Sequence, residues 1–434
     1  MFYTIIEFDK HHFRPHEICE ADNERRGIVD DEEKRLEPHM FVGERNRFDI
    51  NQGEIGDCWF LSPLSMLAEN KHFMDLVIPR GQSFSSNYHG IFRFRFYRFG
   101  DWVEIVIDDR LPTRNGKLIY LRSGEPNEFW SALFEKAYAK FYGSYAAIEG
   151  GVSNDAAVDF TGGIPELINI DHNMTEEESD ALFHVLETVS ANGAMLSTAL
   201  GNNLRYEATY KGLQSSHAYS MTAVVDVSRW FSSEKLQLIR LRNPHGDGGE
   251  WRGDWSDDSP LWSKVSSSTK KNIGLESSDD GEFYISFQDF VKYFGRVQIL
   301  HLTPMRMQMN ERRMNRSFTM ITIPGRWERG VTDGGTRNFA ANPQFRMQII
   351  NKNDRSQTCN LVISLTQKLP SRKTEKNIGF RLYKVGEEQK KDKLLGPQFI
   401  DNGLNMVSDS GAFINSREVK QNLKSIYLKL NLCR

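Results

Sequence analysis

The sequence predicts an α+β protein, with a helix-rich region followed by a strand-rich region and then a separate β domain. The segment PNEFWSALFEKAYAKFYGSY repeats apolar residues at helical spacing, through Phe129, Leu133, Ala137 and Phe141. The segment GIFRFRFYR alternates phenylalanine with arginine, which is typical of a strand with one buried face. After about residue 305, short strand-like runs separated by turns follow one another, and this pattern favours a β-sandwich.

Changes in these patterns divide the chain into four segments. Residues 1–40 form a polar N-terminal segment, and residues 41–150 form the helix-rich lobe of a bilobed module. Residues 151–305 form its strand-rich lobe, and residues 306–434 form the β domain. A Gly150–Gly151 pair at the boundary between the two lobes is the predicted hinge.

Composition excludes several classes of protein. The 434 residues exceed what one hydrophobic core usually holds, so two to four domains are expected. A hydrophobic fraction of 39%, a charged fraction of 26% and a net charge of -3 predict a soluble globular protein with no nucleic-acid partner. No stretch approaches the roughly 18–20 apolar residues of a spanning helix, and the N-terminus lacks the pattern of a signal peptide.

The four cysteines are few and scattered. They are Cys19, Cys58, Cys359 and Cys433, and none forms a C-x-x-C pair. This spacing argues for reduced thiols in the cytoplasm, and against both a disulfide framework and a cysteine-based zinc site.

Cys58 lies between a Gly-rich turn and an apolar helical pattern, in NQGEIGDCWFLSPLSMLAEN. A helix N-terminus favours the thiolate, which is the reactive form of cysteine. Gln52 lies six residues upstream, where its side-chain amide could donate to a developing oxyanion. Taken alone, a buried core cysteine remains the commoner interpretation of such a residue.

His217 and Asn243 supply partners for such a thiol. His217 precedes one predicted strand, and Asn243 follows the next. A cysteine nucleophile, a histidine base and an orienting asparagine, in this chain order, form a papain-type constellation. Together the three residues predict nucleophilic catalysis, although each alone has an ordinary structural explanation.

The chain resembles the calpain family of calcium-dependent cytosolic cysteine endopeptidases in four stretches: QGEIGDCWFL, HAYSMT, LRNPHGDGGEWRGDWSD and DGEFYISFQDF. The likeness runs almost continuously from about residue 40 to 420. It implies a two-lobed papain-like protease core followed by a C2-like antiparallel β-sandwich. It also implies that Cys58 is the nucleophile, His217 the base and then the acid, Asn243 the residue that orients His217, and Gln52 the oxyanion donor.

The same resemblance implies two Ca²⁺ sites, one in each lobe of the core. Ca²⁺ takes six to eight oxygen ligands, and acidic residues fall at the matching positions. The first site would use Asp49 and Glu128, with backbone carbonyls near Val42 and Glu44. The second site would use Glu250, Asp257, Asp280 and Glu282, with the carbonyl of Ser278. Taken singly, each acid is more simply explained as a solvated surface residue.

Departures from the family pattern lead to a second hypothesis. His245 stands where calpains usually have tryptophan, and an imidazole would shield the His–Asn hydrogen bond less well. The sequence also diverges after GAFINSREVK, so the sandwich is expected to lack its closing strands. The alternative to an active protease is therefore a weak or inactive calpain-like scaffold that binds partners through calcium.

Two further expectations concern partners. No EF-hand loop motif is present, so a small EF-hand subunit is not expected. The basic run RMQMNERRMNR, residues 306–316, could contact anionic membrane lipid, although a solvated interdomain linker is the commoner role of such a run. The expected substrates are proteins.

Overall fold

The computed structural model describes most of the chain up to residue 302 and shorter stretches after it. The described residues are 11–28, 31–43, 47–201, 205–215, 217–227, 236–244, 250–278, 280–302, 323, 325–335, 337–347, 361–366, 377–386, 389, 394–401, 406–409, 414–415 and 418–423. Contacts divide the chain into two units, Met1–Phe318 and Thr319–Arg434. Among the described residues, no helix is both long and apolar enough to cross a bilayer.

The first lobe of the first unit, residues 11–161, is built from helices and two small sheets. Its helices are α1 (Pro15–Arg26), α2 (Cys58–Ala68), α3 (Lys71–Val77), α4 (Trp130–Tyr142) and α5 (Ser153–Thr161). Its strands are β1 (His11–Phe13), β2 (Ile91–Arg98), β3 (Asp101–Asp108), β4 (Leu111–Arg114) and β5 (Lys117–Leu118). Strand β4 lies between β1 and β5, and β2 forms an antiparallel hairpin with β3.

Aromatic side chains fill the core of this lobe. Phe94 and Phe96, on the buried face of β2, contact Phe134 of α4 edge-to-face. Phe60 of α2 stacks on Tyr138 of α4 at 4.7 Å between ring centroids. Such ring pairs add stability beyond the burial of their apolar area. The core therefore fixes α2, which begins at Cys58, against α4.

The second lobe, residues 164–302, is a six-stranded antiparallel sheet with helices packed against it. Its strands are β6 (Ile164–Asn169), β7 (Met195–Leu200), β8 (Ala218–Asp226), β9 (Gln237–Arg242), β10 (Glu282–Ser286) and β11 (Phe294–His301). Its helices are α6 (Glu176–Ala191), α7 (Arg205–Tyr210), α8 (Ser267–Ile273) and α9 (Phe287–Tyr293). The strand order is β10-β9-β8-β7-β11-β6, so β8 and β9 lie side by side.

Two details of the first unit differ from the sequence-based segmentation. The segment 1–40 contains β1 and α1, and Ile18 and Cys19 of α1 are buried in the first-lobe core. Helix α5 follows the predicted boundary at residues 150 and 151, yet Phe160 packs in the first-lobe core. Gly150 is held by its N–H bond to the carbonyl of Gly56, 2.9 Å away.

The second unit is strand-rich in its described residues, as the sequence predicts. Its strands are β12 (Leu361–Thr366), β13 (Asn377–Ile378), β14 (Arg381–Tyr383), β15 (Met406–Asp409), β16 (Ile414–Asn415) and β17 (Glu418–Leu423), and its helix is α10 (Pro397–Asp401). The antiparallel pairs are β12 with β17, β13 with β16, and β14 with β15. The β12–β17 and β13–β16 pairs join strands that are not neighbours in sequence, which a meander would not produce, whereas β14 and β15 follow one another among the described strands.

Candidate active site

Cys58 is the first residue of α2 and is only partly buried, unlike Cys19, which is fully buried. Burial raises the pKa of its thiol above the ordinary value, and the adjacent Asp57 carboxylate raises it further. The backbone N–H groups of Ala218 and Trp59 oppose this rise. We had expected the helix N-terminus to favour the thiolate, but burial outweighs that effect here. Attack by Cys58 therefore needs a base.

His217 and Asn243 lie together, at the ends of neighbouring strands. His217 directly precedes β8, and Asn243 directly follows β9. His217 Nε2 lies 2.7 Å from Asn243 Oδ1, so the ring donates this N–H to the amide oxygen. Both side chains are buried, and the His217 ring contacts Tyr219 edge-to-face at 5.2 Å. The hydrogen bond fixes the tautomer that leaves Nδ1 to accept a proton.

The register of the sheet explains why these two residues meet. Ser220 of β8 pairs with Arg242 of β9, and continuing this antiparallel ladder by one step sets Tyr219 opposite Asn243. Side chains two residues apart on a strand share a face, so His217 is the diagonal neighbour of Asn243. Ala218, the residue after His217, lowers the pKa of the Cys58 thiol through its backbone N–H, so the thiol lies near the strand that follows His217.

Gln52 lies beside this group. Its backbone N–H bonds to the carbonyl of Pro244, 3.3 Å away, which ties the first lobe to the residue after Asn243. Its side-chain Nε2 donates to the carbonyl of Ile55 at 2.8 Å, and the side chain is buried. An amide nitrogen carries two hydrogens, so one remains for an oxyanion. The role of Gln52 as oxyanion donor stays a prediction.

The predicted first calcium site brings two buried carboxylates close together. Burial raises the pKa of Glu128 to about 7, and the Asp49 carboxylate contributes to the rise. Glu128 accepts hydrogen bonds from the Val42 N–H at 2.7 Å and the Ser123 hydroxyl at 2.5 Å. Val42 contacts this site through its N–H, and its role as a carbonyl ligand stays a prediction. Glu44 lies outside the described residues.

Three of the four acids of the predicted second site converge. Burial raises the pKa of Asp257 to about 7, and the carboxylates of Glu250 and Asp280 add to the rise. The Ser278 N–H bonds to Asp257 at 3.2 Å, and the Ser278 hydroxyl bonds to Asp280 at 2.5 Å. A cavity of about 930 Å³ is lined by Glu250, Asp257 and Ser278.

Both clusters fit a divalent cation by the chemistry of their donors, because a cation would relieve the repulsion that raises these pKa values. In the stretch of chain that the structure covers, however, no three His, Cys, Asp or Glu side chains already stand in a metal-coordinating arrangement. The fourth acid of the second site, Glu282, directs its carboxylate elsewhere. It accepts from the Thr222 hydroxyl at 2.7 Å and from Arg47 at 2.6 Å.

Arg47 is a functional candidate that the sequence did not reveal. It belongs to the first lobe, and its guanidinium bonds both to Glu69 of that lobe and to Glu282 of the second lobe. Arg240 of β9 lies 3.5 Å from the same Glu282 carboxylate. Arg47 therefore connects the lobe that holds Cys58 to the lobe that holds His217. Nothing in the local pattern of RNRFDI distinguishes this arginine from a solvated one.

We expect Arg47→Ala to lower the free energy of unfolding by about 2 kcal/mol, because it leaves Glu282 partly buried with less positive charge nearby. Urea unfolding followed by fluorescence measures this change. Arg80→Ala is the matched control: Arg80 pairs with Asp75, but its side chain is 73% exposed, so little change is expected. Equal effects of the two substitutions would contradict the interlobe role of Arg47.

Comparisons with known proteins agree with this geometry. A family model for the "Calpain family cysteine protease" matches residues 7–301, and one for "Calpain large subunit, domain III" matches residues 323–426. Calpain-A of Drosophila melanogaster is 39% identical over 424 residues, covering 94% of this chain and 48% of that protein. Human calpain-9 is 38% identical over 398 residues, with coverages of 89% and 56%. The calpain-1 catalytic subunit of Gallus gallus is 36% identical over 416 residues, with coverages of 92% and 56%. The chain thus spans about half the length of these relatives.

Proposed function

Because the chain belongs to the calpain family of cysteine proteases, with a protease core followed by a C2-like β-sandwich, we propose that it is a calcium-regulated cysteine endopeptidase. It would make limited cuts in protein substrates. The observation that carries this proposal is the buried hydrogen bond between His217 and Asn243, next to Ala218, whose backbone N–H lowers the pKa of the Cys58 thiol. A cysteine, a base and a residue that orients the base are the groups that acyl transfer by a thiol requires.

The proposed chemistry follows from the state of the thiol. Since burial keeps Cys58 protonated at neutral pH, His217 Nδ1 takes its proton as the sulfur attacks the peptide carbonyl. Asn243 keeps the ring oriented and favours the imidazolium that forms. The amide of Gln52 and the N–H groups at the start of α2 stabilise the oxyanion. His217 then returns the proton to the leaving amine, and water hydrolyses the acyl-enzyme.

Calcium regulation is part of the proposal. Asp49 and Glu128 would hold one Ca²⁺ in the first lobe, and Glu250, Asp257 and Asp280 would hold another in the second. Glu282 would join them only by leaving Arg47, so the ion would compete with an interlobe ion pair. Calcium would then favour one arrangement of the lobes because it binds that arrangement more tightly.

The remaining proposals concern the surroundings of the protein. We infer a cytoplasmic location from the few, scattered cysteines, which include no C-x-x-C pair. Contact of the β-sandwich region with anionic lipid remains a hypothesis, as does the lack of an EF-hand partner subunit. The basic run at 306–316 and His245 lie outside the described residues.

Labelling of the full chain with a peptidyl epoxide, in calcium and in chelator, tests the proposed function. We expect calcium-dependent labelling of Cys58 that is lost in Cys58→Ser, while Cys19→Ser, which changes a buried thiol, keeps it. Cleavage of casein measured in parallel reports turnover. A folded chain that is not labelled at any calcium concentration would favour the inactive scaffold instead.

A further inference from the structure

One face of α2 lies along strand β8 and makes two contacts with it. Cys58, Ser62 and Ser65 follow one another at i, i+4 and i+7, so they share that face of the helix. The backbone N–H of Ala218 lies close enough to the Cys58 sulfur to lower the pKa of the thiol. Ser62 and Ser65 meet Ser220, the second residue after Ala218 on the strand.

The second contact is a closed network of buried hydroxyl groups. Ser65 Oγ lies 2.7 Å from Ser220 Oγ and donates to the Ser62 carbonyl at 2.8 Å. Ser220 Oγ lies 3.0 Å from the same carbonyl and 3.2 Å from Ser62 Oγ. The three serines are 0%, 1% and 0% exposed at positions 62, 65 and 220. Buried polar groups of this kind favour the one arrangement in which all of them are satisfied.

The spacing of helix and strand allows both contacts to form together. Four helical residues advance by about 6 Å, and two strand residues advance by about 6.6 Å. The step from Cys58 to Ser62 therefore matches the step from Ala218 to Ser220. A single contact would let α2 pivot on β8, whereas two contacts fix both its position and its direction. His217 directly precedes this strand, so its distance from the sulfur is fixed as well.

We propose that Ser62, Ser65 and Ser220 are positioning residues. They hold the two lobes in the arrangement in which Cys58 lies beside the strand that follows His217. They therefore lower the calcium concentration that is needed to align Cys58 with His217. The part that concerns calcium rests on the proposed function. The part that concerns lobe position does not, because the hydrogen bonds join the lobes with or without catalysis. Contacts within the chain shift the same equilibrium that the ion shifts.

Two measurements on Ser65→Ala and Ser220→Ala test the proposal. The first is the distance between spin-labelled non-natural residues placed at the exposed positions Arg80 and Tyr210, one in each lobe, without calcium. The second is the calcium concentration that gives half-maximal labelling of Cys58 by the peptidyl epoxide. We expect each substitution to broaden the interlobe distance distribution and to raise the calcium midpoint about three- to tenfold, as the loss of one buried hydrogen bond would.

Ser131→Ala is the matched control. Ser131 is a buried serine of α4, and its hydroxyl makes no hydrogen bond to the described part of the chain. We expect this variant to keep both the wild-type distance and the wild-type calcium midpoint. A merely structural role of the serines would lower the urea midpoint of unfolding without moving the calcium midpoint.

The outcomes separate this proposal from the proposed function. If Ser220→Ala folds with unchanged distance and calcium midpoint, the positioning role is wrong, although the protease function stands. If the wild-type chain is never labelled but the serine variants still change the distance, the positioning role stands and the protease function is wrong. If Ser220→Ala does not fold, Ser65→Ala decides, because it removes only the hydroxyl on the helix side.

Discussion

Replacement of His217 by alanine is expected to lower kcat/KM for a protein substrate by about 10²- to 10⁴-fold, the range typical of a lost general base. The physical reason is the state of the nucleophile. Burial and the Asp57 carboxylate raise the pKa of the Cys58 thiol, so the sulfur does not ionise unaided at neutral pH. Steady-state cleavage of casein in saturating calcium measures the effect.

Two further variants show whether the loss is chemical. His184→Ala changes a histidine of the second lobe whose side chain is 60% exposed, and we expect it to keep full activity. Asn243→Ala removes the acceptor that orients the His217 ring, and we expect a smaller loss than His217→Ala causes. Raising the pH should partly restore His217→Ala, because the thiol then ionises without a base. An unaffected kcat/KM would show that another group takes the proton.

The sequence signals that indicate this site are local. Helix α4 was visible from its apolar face, and the start of α2 from the glycines and the apolar run around Cys58. The strand after His217 and the strand before Asn243 were visible too, and antiparallel pairing of neighbours in sequence is the simplest topology. The meeting of His217 and Asn243 follows from that pairing alone.

The contacts between the lobes could not be predicted, because each depends on residues far apart in the chain. Glu282 was interpreted as a calcium ligand, and nothing near it in the sequence indicates Arg47 as its partner. Ser62 and Ser65 bond to Ser220, and nothing near them in the sequence indicates that partner. Helix α1 was missed for a different reason: after Ile18 and Cys19 its residues are almost all polar, so the apolar spacing that reveals α4 is absent.

The surroundings of Asp57 also involve a residue far away in the chain, so they could not be predicted from the sequence. They lead to the second prediction with a large expected effect, which concerns stability. Asp57 precedes α2 in the position of a helix cap, yet its side chain makes no capping hydrogen bond. It contacts Glu135 of α4 instead, and the two side chains are 0% and 1% exposed. Burial raises the pKa of Asp57 to about 7 and that of Glu135 well above its ordinary value. Glu135 keeps its proton to the higher pH, because its burial is complete and the Asp57 carboxylate raises its pKa further.

The sign of the resulting pH dependence follows from proton binding. In the unfolded chain Asp57 ionises near 3.8, whereas in the folded protein it ionises only near 7. The folded state therefore binds this proton more tightly, so its stability is greatest below about pH 4 and falls as the pH rises to about 7. The loss from this group is on the order of a few kcal/mol, because a buried carboxylate is poorly solvated. Glu128 and Asp257, whose pKa values are also raised to about 7, add to the fall in calcium-free buffer.

The double variant Asp57→Asn with Glu135→Gln is expected to be more stable than the wild-type chain at pH 8 by a few kcal/mol and nearly equal to it at pH 4. The two amides keep the shape of the pair and can form one hydrogen bond without any ionisable proton. Urea unfolding in chelator at both pH values measures the difference in stability between the two chains. Because Glu128 and Asp257 are present in both chains, their contribution cancels and the difference comes from this pair. Glu54→Gln, at an exposed ion pair with Arg114, should change little between the two pH values. If the double variant loses as much stability from pH 4 to pH 8 as the wild-type chain does, ionisation of the Asp57–Glu135 pair is not the cause of that loss.

If the double variant gains stability as expected, the loss of charge beside Cys58 should also lower the pKa of the thiol. The pH dependence of the alkylation of Cys58 by iodoacetamide would show this change.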